Sequence, residues 1–294
     1  MHFSSERVQK LLSAVNRDWR LIDAQRMSPR AVKLELLAEH GRRHRQVLLG
    51  HSSRDRQVNP DIARDEFRLL KILSCAGLAV PRPLLVDVSQ VMPFLITEFV
   101  EGDKRTASAD LSVFCDQLAG ILSDIHRFSI ERHDLSFLPS QRAAIEDNLR
   151  ERKVDDFGIH AAMRAAWARV SGNDTVLLHG DFWPGNLLWR GDQLAAIIDW
   201  EDAMLGDPLG DLGKSRLEVL WALGADAMDL YTSGYAARNP ELDYRGLPFW
   251  DLWGALRLSH FAKWTAEEEE IARMRAQYER FVSAASAALV NLQE

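Results

Sequence analysis

The 294-residue chain is poor in cysteine: Cys75 and Cys115 are its two thiols, far apart and without a CxxC spacing. That excludes a disulfide framework and a cysteine-rich zinc cluster, and predicts two reduced core thiols in a cytoplasmic protein. Positive charge is also short. Against 43 Asp and Glu stand 36 Lys and Arg, a net charge of −7, with none of the dense basic striping that a nucleic-acid backbone requires. Long apolar runs are missing: no stretch reaches the ~20 residues of a membrane span. The opening MHFSSERVQKLLSAVNRDW is amphipathic and charged, unlike a secretory signal. Nucleic acid and membrane are therefore not expected partners, and the cytoplasm is the expected location. Internal repeats are absent, and the one low-complexity run, Glu267 to Glu270, reads as a solvated helix face.

What is present is an ordinary globular balance, 47% hydrophobic and 27% charged, in a chain long enough for one large domain or two lobes. After a short N-terminal helix, Ala31 to Ser53 holds two β-prone runs joined at His40-Gly41, the pattern of an antiparallel hairpin. NPDIARDEFRLLKILSCAG then carries Ile62, Phe67, Leu70 and Leu73 at helical spacing and stops at Gly77, ahead of Pro81 and Pro83. Leu84 to Asp103 reads as two more strands, with Glu101-Gly102-Asp103 as a link. Beyond it, Leu111 to Phe128 and most of the last hundred residues follow the helical period. In that half only Thr175–Leu178, Leu187–Trp189 and Leu194–Trp200 look like strands. The expected architecture is α+β in two lobes, a strand-rich 1–101 and a larger, mainly helical 102–294.

The chemistry concentrates in HGDFWPGNLLW, His179 to Trp189, where Asp181 precedes Asn186 by five positions, and in the following Ile198-Asp199-Trp200. A carboxylate that accepts a hydroxyl proton, with an amide oxygen and a second carboxylate to hold Mg²⁺, is the set that phosphoryl transfer needs. A hydrolase built on metal-bound water would need more ligands, and His126 and His179 are not spaced as a metal pair.

HGDFWPGNLLW followed by IIDWEDAMLGDPLGDL resembles the aminoglycoside phosphotransferase and choline kinase family, relatives of the protein kinases, and the likeness extends to DEFRLLKILSCAGLAVPRPL and PFLITEFVEG. The resemblance implies a two-lobed kinase-like fold, with an antiparallel sheet and helix in the N-terminal lobe. It implies ATP or GTP and Mg²⁺ as cofactors, and a hydroxyl-bearing small molecule as acceptor. By it, Asp181 is the catalytic base, His179 braces the loop, and Asn186 and Asp199 are metal ligands. Glu98, Phe99 and Val100 form the hinge that holds adenine, with Leu188 and Ile198 against the ring. Glu66 is the helix glutamate that pairs with a phosphate-gripping cation. Asp207 and Asp211 tie the loop to the next helix, and Asp211 also has the look of an N-cap.

Two departures stand out. Leu49 and Gly50 occupy the place of the strand Lys or Arg, leaving Glu66 without an obvious mate; Arg45 and Lys33 are the substitutes that the strand period offers. The phosphate-covering turn reads Arg26-Met27-Ser28-Pro29-Arg30, without glycine. These departures motivate a second reading, a pseudokinase or ligand-binding module with impaired phosphate gripping. For the acceptor, Glu201 and Asp202 suggest an acidic lining that suits an aminoglycoside-like or amino-alcohol-like cation, and Trp183 a pocket wall. Trp250, Trp253, Phe261 and Trp264 read either as core or as a box for a quaternary amine.

Overall fold

The computed structural model describes residues 5–89, 93–105, 110–151, 157–170 and 172–291. In chain order the elements are α1(Ser5–Val15), β1(Arg20–Arg26), β2(Ala31–Leu37), β3(Arg43–Gly50), α2(Ser53–Val58), α3(Ile62–Cys75), β4(Pro83–Asp87), β5(Phe94–Glu98), β6(Asp103–Lys104), α4(Leu111–His126), α5(Gln141–Arg150), α6(Ile159–Ala166), β7(Val176–Leu178), β8(Leu187–Arg190), β9(Gln193–Ile197), β10(Met204–Gly206), α7(Leu209–Leu223), α8(Ala225–Arg238), α9(Leu247–Leu258) and α10(Glu268–Asn291). They fall into two compact units, residues 1–103 with 187–201, and residues 104–186 with 202–294.

The first unit is built on a five-stranded antiparallel sheet of order β1-β2-β3-β5-β4. Period-two burial decides its register: Leu34 and Leu36 of β2 and Leu48 of β3 join Phe94 and Ile96 of β5 on one face, against Val8 and Leu12 of α1. A fully buried side chain of this type contributes roughly 1.5–3 kcal/mol. Sliding one strand by a residue would therefore expel a whole row. The β2–β3 hairpin turns where expected, with positive φ at His40 (59°) and Gly41 (74°). Two successive positive φ values match the right-handed twist of the strands they join. β1 is an outer strand whose side chains are exposed but for a half-buried Leu21, so its sequence shows no alternation to read. The antiparallel hairpin β8–β9 also belongs to this unit.

Helices dominate the second unit. Asp110 caps α4, its carboxylate accepting from the Val113 amide at 3.0 Å. α7 and α9 cross where each carries a glycine: a Cβ on Gly213 would come within 2.5 Å of the Trp250 carbonyl, and one on Gly254 within 2.5 Å of the Lys214 Cα. β10 pairs antiparallel with β7, Met204 opposite Leu178 and Gly206 opposite Val176.

Two expectations are corrected. Cys75 is exposed at the end of α3, where no core covers it, whereas Cys115 is buried. Asp211 is no N-cap: α7 starts at Leu209, and Asp211 already sits in its first turn. Of the two readings open for the aromatic run, core holds for Trp250, Trp253 and Phe261, which are buried, while Trp264 is 49% exposed.

Candidate active site

In the second unit, the HGDFWPGN segment leaves β7 and bends through a short 3-10 turn, Pro184–Asn186. Gly180 takes φ 79°, and a Cβ there would collide with the Asp202 backbone carbonyl, so this bend admits only glycine. The bend hangs from Asp211, whose two oxygens accept the His179 amide at 2.7 Å and the Gly180 amide at 2.9 Å. Burial opposes ionisation of Asp211, but His126, His179 and the Gly180 amide outweigh it and hold its carboxyl below the ordinary range. His126 Nδ1 lies 2.6 Å from the Tyr235 hydroxyl. The tie foreseen for Asp211 is thus made, through side-chain bonds to the loop's amides. Asp207 accepts instead from the Asn173 amide at 2.7 Å and the Leu209 amide at 2.9 Å.

His179 is fully buried and accepts the Asp181 amide on Nδ1 at 3.2 Å. The Asn186 side-chain NH₂ donates to both the carbonyl and the carboxylate of Asp181, each at 2.8 Å. Both oxygens at that end are acceptors, so the amide nitrogen must face them, and the Asn186 oxygen points the other way. The other carboxylate oxygen of Asp181 is ion-paired with Lys214 of α7. Burial again works against ionisation, and Lys214, His179 and Arg257 overcome it, lowering the Asp181 carboxyl to about 2. Lys214 itself is buried and reaches Glu218 at 2.8 Å. Glu218 is pushed up to about 7 by burial and by the negative Asp181, against the pull of Lys214. Lys214 was missed in the sequence, although its i,i+4 spacing to Glu218 was there to see.

The first unit holds the other acidic set. Glu66 of α3 does have a mate: Nη2 of Arg30 donates to both its oxygens, at 2.9 and 2.7 Å. Nη1 of the same guanidinium meets Asp199 at 3.0 Å and Glu201 at 2.6 Å. His51 Nε2 adds a contact to Glu66 at 2.8 Å. Neither substitute named from the strand period takes this place: Arg45 pairs with Glu101 and lies over the Phe99 ring, and Lys33 is 3.8 Å from Glu35. Asp199 adopts a left-handed φ of 68°. Such a conformation costs a non-glycine residue on the order of 1–3 kcal/mol and is concentrated at functional sites.

At the end of β5, the Glu98 amide donates to the Arg82 carbonyl at 2.9 Å and the Phe99 amide to the Arg45 carbonyl at 3.3 Å. The Phe99 N–H is therefore engaged within the sheet. Leu188 and Ile198 are half-buried. The Trp183 ring lies over Gly185, where any Cβ would strike it. Glu201 and Asp202 do not form a common unpaired acidic lining: Glu201 binds Arg30, and Asp202 binds Arg257 at 2.8 Å. Among the described residues no three His, Cys, Asp or Glu side chains cluster as a metal site, and no helix is long and apolar enough to cross a membrane.

A profile of the phosphotransferase enzyme family matches residues 15–245. Among curated proteins, the chain is 27% identical over 181 residues to acyl-CoA dehydrogenase family member 10 of Mus musculus, covering 52% of this chain and 16% of the relative. It is 24% identical to the human acyl-CoA dehydrogenase family member 11, covering 53% and 23%. The chain thus spans less than a quarter of these relatives' length. Among solved structures, an aminoglycoside phosphotransferase in ternary complex with AMP-PNP and hygromycin B superposes with a TM-score of 0.64 at 17% identity, over 94% of this chain and 97% of that one. The amicoumacin kinase hAmiN, bound to AMP-PNP, Ca²⁺ and Ami, gives 0.63 at 14% identity, over 96% and 94%.

Proposed function

The chain belongs to the phosphotransferase enzyme family, and from that premise we propose that it is a small-molecule kinase that moves the γ-phosphate of ATP, with Mg²⁺, to a hydroxyl of an aminoglycoside-like or amino-alcohol-like acceptor. One observation carries the reading: Asp181 is held ionised by Lys214 and aimed by Asn186, yet stays 34% exposed. A carboxylate in that state can take the acceptor's hydroxyl hydrogen bond on the side that faces solvent. Its low pKa means that it orients the hydroxyl and receives the proton late, as oxygen–phosphorus bonding proceeds, which suits a loose transition state. The buried Lys214 charge is in place before and after transfer, so no reorganisation is needed as charge moves at the acceptor oxygen.

By the family resemblance the Asn186 amide oxygen and the Asp199 carboxylate would be the metal ligands, and each by its chemistry is a hard oxygen donor of the kind that Mg²⁺ ordinarily takes from a protein. When bound, Mg²⁺ would offset phosphate charge and template the transferring group. The AMP-PNP and hygromycin B of one structural neighbour, and the AMP-PNP and Ca²⁺ of another, support a nucleotide, a divalent ion and a small hydroxylated acceptor here. Glu98 to Val100 with Leu188 and Ile198 are assigned to the adenine, Trp183 to the acceptor, and the protein to the cytoplasm.

The test is transfer from γ-labelled ATP with Mg²⁺ across aminoglycosides, macrolides, choline-like amines and sugars. Asp181→Asn should cut transfer at least a thousandfold, about 4 kcal/mol of barrier, while ATP affinity stays within about twofold. Unchanged turnover in that variant would remove Asp181 from the mechanism.

A further inference from the structure

β3 ends in Leu49-Gly50 with no cation, yet the sheet does deliver one to that spot from the neighbouring strand. Ala31 pairs with Leu49 and Val32 with Leu48. One step further the Gly50 amide donates to the Arg30 carbonyl at 2.9 Å. Arg30 therefore stands opposite Gly50 and shares its sheet face, and Gly50 has no side chain to compete for the space. The backbone there is pinned: Ser28 Oγ accepts from the amides of Arg30, at 3.3 Å, and Ala31, at 3.1 Å. The glycine-free turn thus has a purpose of its own, since it presents an arginine and not a loose loop.

The guanidinium is used unequally at its two ends. Nη2 is bound by both oxygens of Glu66, which is buried and braced by His51. Nη1 is shared between Asp199, 34% exposed, and Glu201, 28% exposed. Nε is buried and has no hydrogen-bond partner among the described residues. Three carboxylates thus surround one guanidinium whose side chain is only 13% exposed.

We propose that Arg30 is the residue that grips the nucleotide phosphates, in place of the strand lysine: its Nη2 end stays on Glu66 while Nη1 exchanges Asp199 and Glu201 for phosphate oxygens. This rests on the ATP reading above. The exchange releases the Asp199 carboxylate from Arg30, and that carboxylate would then be available to a divalent cation. Arginine suits the task better than lysine would, because its planar fork can hold a carboxylate on one edge and a phosphate on another.

The experiment is calorimetric binding of ATP and of adenosine, with Mg²⁺, to the wild type, Arg30→Met and Arg30→Gln. Gln keeps a donor for Glu66 and serves should the Met variant fail to fold. Arg30 removal should weaken ATP ten- to a hundredfold and leave adenosine within about twofold. ATP affinity equal to wild type, or a parallel loss of ATP and adenosine, overturns the proposal while leaving the kinase reading standing. A wild-type chain that binds neither ligand overturns both.

Discussion

At the residue scale, the catalytic loop is an exercise in keeping buried charge paired. Asp181, Lys214 and Glu218 put two carboxylates on one ammonium. Removing a partner from such a set leaves an uncompensated charge, which costs more than the pair contributes when intact. Lys214→Met should therefore lower kcat by roughly one to two orders of magnitude through loss of Asp181 alignment and also lower Tm, with ATP affinity nearly unchanged; steady-state kinetics beside calorimetry read both. Two buried carboxyls, Glu218 of this cluster and Asp251, which is paired with Arg216, set a pH signature. Glu218 rises from 4.5 to about 7 and Asp251 from 3.8 to about 6, each chiefly through burial. Between the ordinary and the raised values the folded chain holds more protons than the unfolded one, so these two groups make stability fall as pH climbs from about 4 to 7 and level off above. Asp181 works the other way: its contribution is complete above 3.8 and is lost as pH drops through about 2. Thermal melts across pH 4.5 to 8 should show the decline, and Glu218→Gln should flatten it; identical slopes in both proteins would remove Glu218 as its source.

At the element scale, α7 is the organiser of the second unit. Its first turn holds the loop through Asp211, its next turn supplies Lys214, and its glycine at 213 lets α9 approach to backbone contact. Gly213→Ala or Gly254→Ala should each destabilise by about 1–3 kcal/mol, since the atom met is main chain that cannot swing aside. Denaturant titration measures this, and a variant as stable as the wild type would mean that the helices separate freely. The hairpin β2–β3 was legible because alternation and a His40-Gly41 turn agree. β1 was not, because an outer strand with exposed faces carries no pattern.

At the scale of the whole molecule, the family match stops at residue 245, but the packing does not. Trp221 of α7 donates from its indole to the Met274 carbonyl at 3.1 Å, and the Tyr278 hydroxyl to Ala255 at 3.0 Å. A chain cut after 245 would expose the buried face of α7 and should be recovered insoluble or without a cooperative melt, whereas the full chain should melt cooperatively and shift upward with Mg²⁺ and ATP by mass action. A soluble, cooperatively melting truncation would show that α9 and α10 are dispensable.

The sequence by itself determined the two-lobed α+β layout, the loop with Asp181 and Asn186, and the family. Those features rest on local spacing: period-two and helical burial, and polar residues a few positions apart in one bend. Tertiary structure alone decided which cation meets Glu66. Arg30 lies 36 positions away on a turn, and β-sheet register, not sequence spacing, puts it opposite the empty Gly50. The partnership of Lys214 with Asp181, 33 positions apart, was hidden for the same reason. An ion pair leaves no periodic trace, because it depends on where two elements pack and not on how either one repeats.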